Sequence, residues 1–279
     1  MAILTPRERD GYIYFDEAEC RAAGKALAER YRTAQPFPHI ALDDFLPADF
    51  LLSLLDGFPD SSGKTYFDRD QERLKFQFPP SDIPGHRLRN MVIELNSPAI
   101  LAFLEEMTGV DALIPDPYYV GGGCHETKSG GHLGIHADFN IHQEMQVQRR
   151  LNLLVYLNHD WPESYGGELE LWDQQMGSCE VKVLPTIGRA VVFNTSLDSF
   201  HGQPDPVRCP PDRSRRSIAT YYYTASAEGL SALPDRTTVF KARPESGDQP
   251  DRRVAFDHFL KDWVPPRLYR VATKFNRFK

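Results

Sequence analysis

The pattern of apolar and polar positions divides the chain into helical flanks and a strand-rich middle. Residues 16–34 are mostly alanine and charged residues and stop at Pro36, which predicts a helix. A second helix is predicted after Pro47. A third begins at Ser97-Pro98, where serine caps the helix and proline fits its first position. Residues 60–82 are polar and irregular, which is typical of a solvated connection or of a loop over a site.

Short apolar segments separated by Gly, Pro and Asp fill the chain from about residue 115 to 225. The predicted strands are 132–136, 150–158, 167–172, 180–184, 188–194 and 215–224. This spacing predicts an all-β sandwich or barrel rather than alternating strands and helices. Helical patterns return over 257–263 and 267–278.

These elements predict one domain over 1–279 with three parts. The parts are N-terminal helices and support strands in 1–114, a β core in 115–225, and a C-terminal helical extension in 226–279 packed on the core. The tail 267–279 is basic, and either a solvated face or contact with RNA or an acidic partner would account for that charge.

Composition supports a soluble globular protein. Of 279 residues, 41% are hydrophobic and 25% charged, which is ordinary for a protein with a packed core. The net charge of −7 argues against nucleic acid as the partner of the whole chain. No secretory signal or membrane span is evident, and four scattered cysteines without a CxxC pair suit reduced thiols, so we expect a cytoplasmic protein.

Candidate metal ligands stand in His136-Ala137-Asp138, with His201 65 positions after His136. Residues two apart on a strand point the same way, so His136 and Asp138 can reach one ion. His201 is expected in a loop after the strand that ends near Asn194. Two histidines and one carboxylate form the facial triad of non-haem Fe(II) oxygenases, which leaves positions open on the metal.

A candidate carboxylate clamp follows on the final strand. Arg215 and Ser217 share one strand face and Arg216 points to the opposite face. A guanidinium and a hydroxyl together can hold a carboxylate, and Arg216 is the alternative to Arg215. Positions 150, 152, 154, 156 and 158 form a mostly polar face on another strand, which faces either solvent or a polar cavity. A 2-oxo acid would use both features, with its ketone end on the metal and its far carboxylate on the clamp.

Between residues 115 and 225 the chain resembles the Fe(II)/2-oxoglutarate-dependent dioxygenases of the prolyl 4-hydroxylase type, and among them the bacterial prolyl-hydroxylase-like proteins. The matching pieces, in order, are His136-Ala137-Asp138, Arg150, Leu157-Asn158-His159-Asp160-Trp161, Gly166-Gly167-Glu168-Leu169, Pro185, Gly188-Arg189, His201 and Arg215-Arg216-Ser217. The resemblance implies a mainly β fold with flanking helices and a double-stranded β-helix (jelly-roll) core, so that 115–225 would be the dioxygenase core.

The resemblance also implies roles for individual residues. His136, Asp138 and His201 would bind Fe(II), and Arg215 with Ser217 would bind 2-oxoglutarate. Tyr156 matches a tyrosine that helps to bind the same carboxylate in some members. The implied reaction uses O2, converts 2-oxoglutarate to succinate and CO2, and hydroxylates a C–H bond, with ascorbate as a possible stimulant. Asp138 favours hydroxylation, because related halogenases carry a small residue at that position.

Several classes of substrate are compatible with the sequence. The first expectation is a prolyl residue in a protein or peptide. A free amino acid or other small metabolite is the alternative, and a metal-binding module without turnover is a third hypothesis. His125, His132 and Asn140 lie near the triad in sequence and are candidate substrate contacts, although structural roles would also account for them.

Overall fold

One antiparallel sheet dominates the structure. In the computed structural model, which describes residues 2–64, 67–226 and 235–263, this sheet contains thirteen strands, and a separate pair of strands lies near the N-terminus. The helices are α1 Glu17–Arg32, α2 Ala48–Leu52, α3 His86–Glu94, α4 Pro98–Thr108 and α5 Arg252–Trp263. The strands are β1 Arg7–Arg9, β2 Tyr12–Tyr14, β3 His39–Leu42, β4 Phe67–Arg69, β5 Glu72–Phe78, β6 Ile114–Pro115, β7 Gly123–Ala137, β8 Ile141–His142, β9 Val147–Tyr156, β10 Leu169–Trp172, β11 Cys179–Val183, β12 Ala190–Asn194, β13 His201–Gln203, β14 Ser214–Thr224 and β15 Val239–Phe240.

The two long N-terminal helices begin and end as the sequence predicts. The Asp16 side chain accepts a hydrogen bond from the Glu19 amide and caps α1. Ser97 caps α4 in the same way, and Gly109 ends that helix in the left-handed region. The helix predicted after Pro47 is only five residues long, and α3 was not predicted.

The sheet has the expected jelly-roll character. Its main path runs β11-β10-β13-β7-β14-β9-β12-β3, and each strand on this path pairs antiparallel with its neighbours. The fold class predicted from strand spacing and from the resemblance is therefore confirmed. β14, the last long strand in sequence, lies between β7 and β9 and joins the two halves of the sheet.

The two faces of β9 have different partners. Leu151, Leu153 and Val155 are fully buried and belong to the large core that includes residues of α1 and α4. Tyr156 packs on the other side, in a smaller cluster with Leu169 of β10 and other apolar residues. The helices therefore support one face of the sheet and leave the other face to enclose a cavity.

The prediction of an irregular segment over 60–82 is wrong for its second half. β4 and β5 form a hairpin, and β5 pairs along β7. The charged residues that suggested a loop partly neutralise each other, because Lys75 Nζ lies 3.0 Å from Glu72 Oε1 and both side chains are buried. Paired in this way, they can occupy a strand that faces a polar cavity.

The C-terminal part of the chain also contributes to the sheet. β15 pairs with the end of β7, and α5 extends the helix predicted over 257–263 toward the N-terminus. The predicted helix 267–278 lies outside the described residues. Within the described part of the chain, no helix has the length and apolarity needed to cross a membrane. The division into three parts remains a prediction, although the first part supplies β3 and β5 to the main sheet.

Candidate active site

Three potential metal ligands meet at the end of β7. His136 lies near the end of this strand and Asp138 follows it, while the antiparallel β13 places His201 opposite His136. His136 Nε2 is 3.6 Å from Asp138 Oδ1, and His201 Nε2 is 3.4 Å from Asp138 Oδ2. The ligand atoms all lie within 4.8 Å of one another. The expected grouping is present, but His201 begins a short strand of its own rather than lying in a loop.

Both histidines present the same ring nitrogen to this point. His136 Nδ1 is 2.9 Å from the Gly134 carbonyl oxygen, and His201 Nδ1 is 2.9 Å from the Ser199 carbonyl oxygen. A carbonyl only accepts, so each Nδ1 carries a proton, and in the neutral ring the Nε2 lone pair is left for a metal. Backbone bonds of this kind orient histidine ligands in metal sites.

A glycine allows the two histidine-bearing strands to approach closely. A Cβ atom on Gly202 would lie 2.6 Å from the Gly134 carbonyl oxygen and 2.9 Å from the Leu133 carbonyl oxygen. Any side chain at this position would push β13 away from β7. The distance between His136 and His201 therefore depends on Gly202.

Asp138 is held from behind by two side chains of β9. Asn152 Nδ2 donates to Asp138 Oδ2 at 2.8 Å, and Arg149 Nη2 lies 3.0 Å from the same oxygen. Burial opposes ionisation of Asp138, but the charge of Arg149 and the two histidines outweigh it and hold the pKa of Asp138 well below its usual range. Burial, followed by the nearby His136, lowers the pKa of His201 to about 4. A neutral histidine beside an ionised carboxylate is the form that binds metal.

Strand alternation predicts Arg150, and not Arg149, on the polar face of β9. The predicted polar face included Arg150, but the Arg150 guanidinium donates to Thr224 Oγ1 and does not line the cavity. Arg149 lines it instead, because the register between β9 and β14 skips Arg150. A bulge of this kind turns the neighbouring side chain to the opposite face.

The candidate carboxylate clamp lies on β14, beside β7 and β9. Ser217 pairs with His125 on one side and Tyr156 on the other. Arg215 is 8% exposed, its Nε donates to the Gly167 carbonyl at 2.7 Å, and its Nη2 is 3.4 Å from the Tyr156 hydroxyl. Burial lowers the pKa of Arg215 and raises that of Tyr156, while each group partly offsets the effect on the other.

Arg215 and the triad line one cavity of about 230 Å3. Ser217, Asn152, Leu154 and Phe193 also line it. Arg216 faces away from it, with its Nε 3.4 Å from Glu126 Oε1 and its guanidinium over the Phe58 ring. Of the two arginines, only Arg215 is among the residues that line the cavity, as strand alternation predicts.

The three candidate substrate contacts have different positions. His125 lines the cavity, and its Nε2 is 2.9 Å from the Gly121 carbonyl oxygen. Burial, followed by the charge of Lys75, lowers its pKa well below the usual range. His132 is not among the lining residues, and its Nε2 is 3.0 Å from the Asp70 carbonyl oxygen. Asn140 lines a neighbouring cleft of about 160 Å3, which shares Asp138, Phe139 and Arg149 with the cavity.

The hairpin of β4 and β5 supplies cavity residues that were not predicted. Arg69, Glu72, Lys75 and Gln77 all line the cavity. Strict alternation does not mark them in the sequence, because the pairing of β5 with β7 shifts register between Arg73 and Lys75. Phe240 of β15 adds an apolar wall, with its ring 5.2 Å from that of His136.

Residues 122–223 match the model of the 2OG-Fe(II) oxygenase superfamily. This range contains the triad, Tyr156, Arg215 and Ser217, so the resemblance inferred from the sequence is confirmed. The match and the fold together place this region in that superfamily of enzymes. No curated protein matches the chain in sequence.

The chain is similar to several solved structures of prolyl hydroxylases. A prolyl hydroxylase from Trichoplax adhaerens, solved with a peptide fragment of the hypoxia inducible factor oxygen degradation domain, is 16% identical with a TM-score of 0.52, and the match covers 74% of this chain and 91% of that one. A prolyl-4-hydroxylase from Pseudomonas putida is 20% identical with a TM-score of 0.46, covering 72% of this chain and 98% of that one. At such identities the likeness is one of fold alone.

Proposed function

We propose that this protein is an Fe(II)- and 2-oxoglutarate-dependent hydroxylase. The observation that carries the proposal is the presence of a two-histidine, one-carboxylate cluster and a buried arginine in the same cavity. The donor set fits Fe(II), because two neutral imidazole nitrogens and one ionised carboxylate occupy one side of the ion and leave positions for other ligands. His136, Asp138 and His201 would hold the metal.

The clamp on β14 would hold 2-oxoglutarate. Arg215 offers a guanidinium fork to the distal carboxylate, Ser217 lines the same cavity, and the Tyr156 hydroxyl lies 3.4 Å from Arg215 Nη2. When bound, iron and 2-oxoglutarate supply the oxidation, in which 2-oxoglutarate and O2 become succinate and CO2 and one oxygen atom enters a C–H bond. Arg215 orients the cosubstrate, and Phe240 and Phe193 shield the histidine rings from water.

As substrate we propose a prolyl residue in a protein or peptide. The cleft that adjoins the cavity supports this choice, because the two share Asp138, Phe139 and Arg149 and so extend the binding surface beyond a single residue. Polar side chains of Asn140, Gln148, Thr195 and Ser196 line the cleft, together with the exposed Leu197.

A free amino acid is the second candidate substrate. The observation that favours it is the buried Glu72–Lys75 pair on the cavity wall, since groups of both signs suit an ammonium and a carboxylate on one small molecule. The hairpin that carries this pair also lines the cavity through Arg69 and Gln77.

Succinate formation during substrate screening tests the proposal. The purified protein, Fe(II) and 2-oxoglutarate are incubated with prolyl peptides and with free amino acids, each with and without ascorbate. The masses of the products are then measured by mass spectrometry. We expect a prolyl peptide to gain one oxygen atom while succinate rises in equal amount. Hydroxylation of a free amino acid alone would favour the second candidate. If 2-oxoglutarate neither binds by calorimetry nor turns over, the domain is a metal-binding module and the proposal is wrong.

A further inference from the structure

An arginine with no direct place in the triad is built into the wall behind Asp138. The Arg149 residue is 2% exposed. Its Nε and Nη2 donate to Asn152 Oδ1 at 3.0 and 2.8 Å, and its Nη2 lies 3.0 Å from Asp138 Oδ2. The guanidinium carbon lies 3.6 Å from the centre of the Tyr221 ring and 4.6 Å from that of Phe139. Burying a charged side chain costs free energy, so a buried arginine is stable only where its partners compensate its charge closely.

Arg149, Asn152 and Asp138 form a closed triangle of contacts. Asn152 accepts two hydrogen bonds from Arg149 through its oxygen and donates one to Asp138 through its nitrogen. The amide orientation of Asn152 is therefore determined, because an inverted amide would place its NH2 group against the guanidinium. The orientation of each of the three side chains therefore depends on the other two.

The triangle treats the two oxygens of Asp138 differently. Asn152 and Arg149 both bind Oδ2, which also lies 3.4 Å from His201 Nε2, whereas Oδ1 lies 3.6 Å from His136 Nε2 and is bound by neither Asn152 nor Arg149. We propose that Arg149 is a positioning residue, which anchors Oδ2 within the protein so that Oδ1 is presented to the metal. This inference rests on the proposed metal site and goes beyond it by assigning a role to a residue outside the ligand set.

Register supports the same role. The bulge at Arg150 lets Arg149 and Asn152, which are three positions apart, lie on one face of β9. Without the bulge, Arg149 would lie on the same face as Leu151 and point toward the apolar core. The bulge between β9 and β14 therefore brings Arg149 into contact with Asp138.

Cobalt binding by the metal-free protein tests the role. Co(II) is added to wild type, Arg149→Met, Arg149→Lys and the matched control Arg150→Met, and affinity is measured by calorimetry while the visible absorption bands report ligand geometry. We expect Arg149→Met to bind Co(II) about 10–100-fold more weakly, which is the usual loss when a residue behind a metal ligand is removed, and to shift the bands. Arg149→Lys should recover part of the affinity, because it restores the charge but not the fork. Arg150→Met should match wild type.

Thermal unfolding of each metal-free variant distinguishes a loss of stability from a loss of the positioning of Asp138. If Arg149→Met lowers the melting temperature but a folded sample binds Co(II) with wild-type affinity and bands, the arginine only stabilises the fold and the inference is wrong. If Arg149→Met does not fold, the same comparison with Arg149→Lys decides. Failure of wild type itself to bind Co(II) would instead overturn the proposed metal site.

Discussion

Replacement of Arg215 by methionine is the sharpest test of the cosubstrate clamp. Methionine fills much of the space of the arginine stem but removes the charge and its hydrogen bonds. Hydrogen bonds to charged groups contribute about 1.5–3 kcal/mol each. Arg215 would give two to the distal carboxylate, whereas Ser217 and Tyr156 remain in the variant to replace part of the loss. We therefore expect a net loss of about 3 kcal/mol, which is roughly a 100-fold rise in the 2-oxoglutarate concentration required.

The assay measures succinate release against 2-oxoglutarate concentration, with Co(II) affinity measured in parallel. Metal affinity should stay within about threefold of wild type, since none of the described contacts of Arg215 involves the triad. Loss of the bond from Arg215 to the Gly167 carbonyl can lower stability, so the melting temperature of each variant is recorded. Arg215→Lys should lie between methionine and wild type, because lysine keeps the charge without the fork.

Arg216→Met is the matched control for this experiment. Its side chain is 34% exposed and pairs with Glu126 on the opposite face of β14, so the 2-oxoglutarate requirement should change by less than about threefold. A large rise in the 2-oxoglutarate requirement of Arg216→Met, with no change in that of Arg215→Met, would show that Arg216 and not Arg215 holds the cosubstrate.

Three further changes test other parts of the site. Asp138→Ala should abolish measurable Co(II) binding in calorimetry, because only two ligands remain; binding at wild-type strength would exclude Asp138 as a ligand. Tyr156→Phe should raise the 2-oxoglutarate requirement about 3–10-fold with metal affinity unchanged, and no rise would remove the hydroxyl from the clamp. Gly202→Ala should destabilise the protein by about 1–3 kcal/mol in urea unfolding and weaken metal binding, because its Cβ meets the Gly134 carbonyl; unchanged stability would show that β13 can move freely.

Features that depend on short stretches of sequence were predictable. The composition that favours α1, the proline after it and the serine cap of α4 are local signals, so both ends of α1 and the start of α4 were found within two residues. The strands of the core were found because turn residues separate them at regular intervals. Arg215 was correctly assigned to the cavity because β14 alternates without interruption around it, and alternation needs no knowledge of neighbouring strands.

Features that depend on distant partners were missed. The bulge that turns Arg149 inward arises where β9 meets Tyr222 and Tyr223 of β14, more than seventy positions away in sequence, so no local pattern marks it. The sequence predicts an irregular segment where β4 and β5 form a hairpin, because the charged residues of the hairpin are typical of a solvated loop. Only the fold shows that Glu72 and Lys75 compensate each other inside the cavity.

The central position of β14 has a consequence for how the chain acquires its structure. β7 and β9 precede it in sequence but meet across it, so the two halves of the sheet cannot be joined until about residue 224 has been synthesised. Pairings over such long separations make folding slow, and the earlier strands present unpaired edges in the meantime. Because Arg215 and Ser217 arrive on this closing strand, a nascent chain that stops before it has neither a complete sheet nor a complete clamp. Joining of the two halves of the sheet and completion of the proposed cosubstrate clamp therefore depend on the same strand.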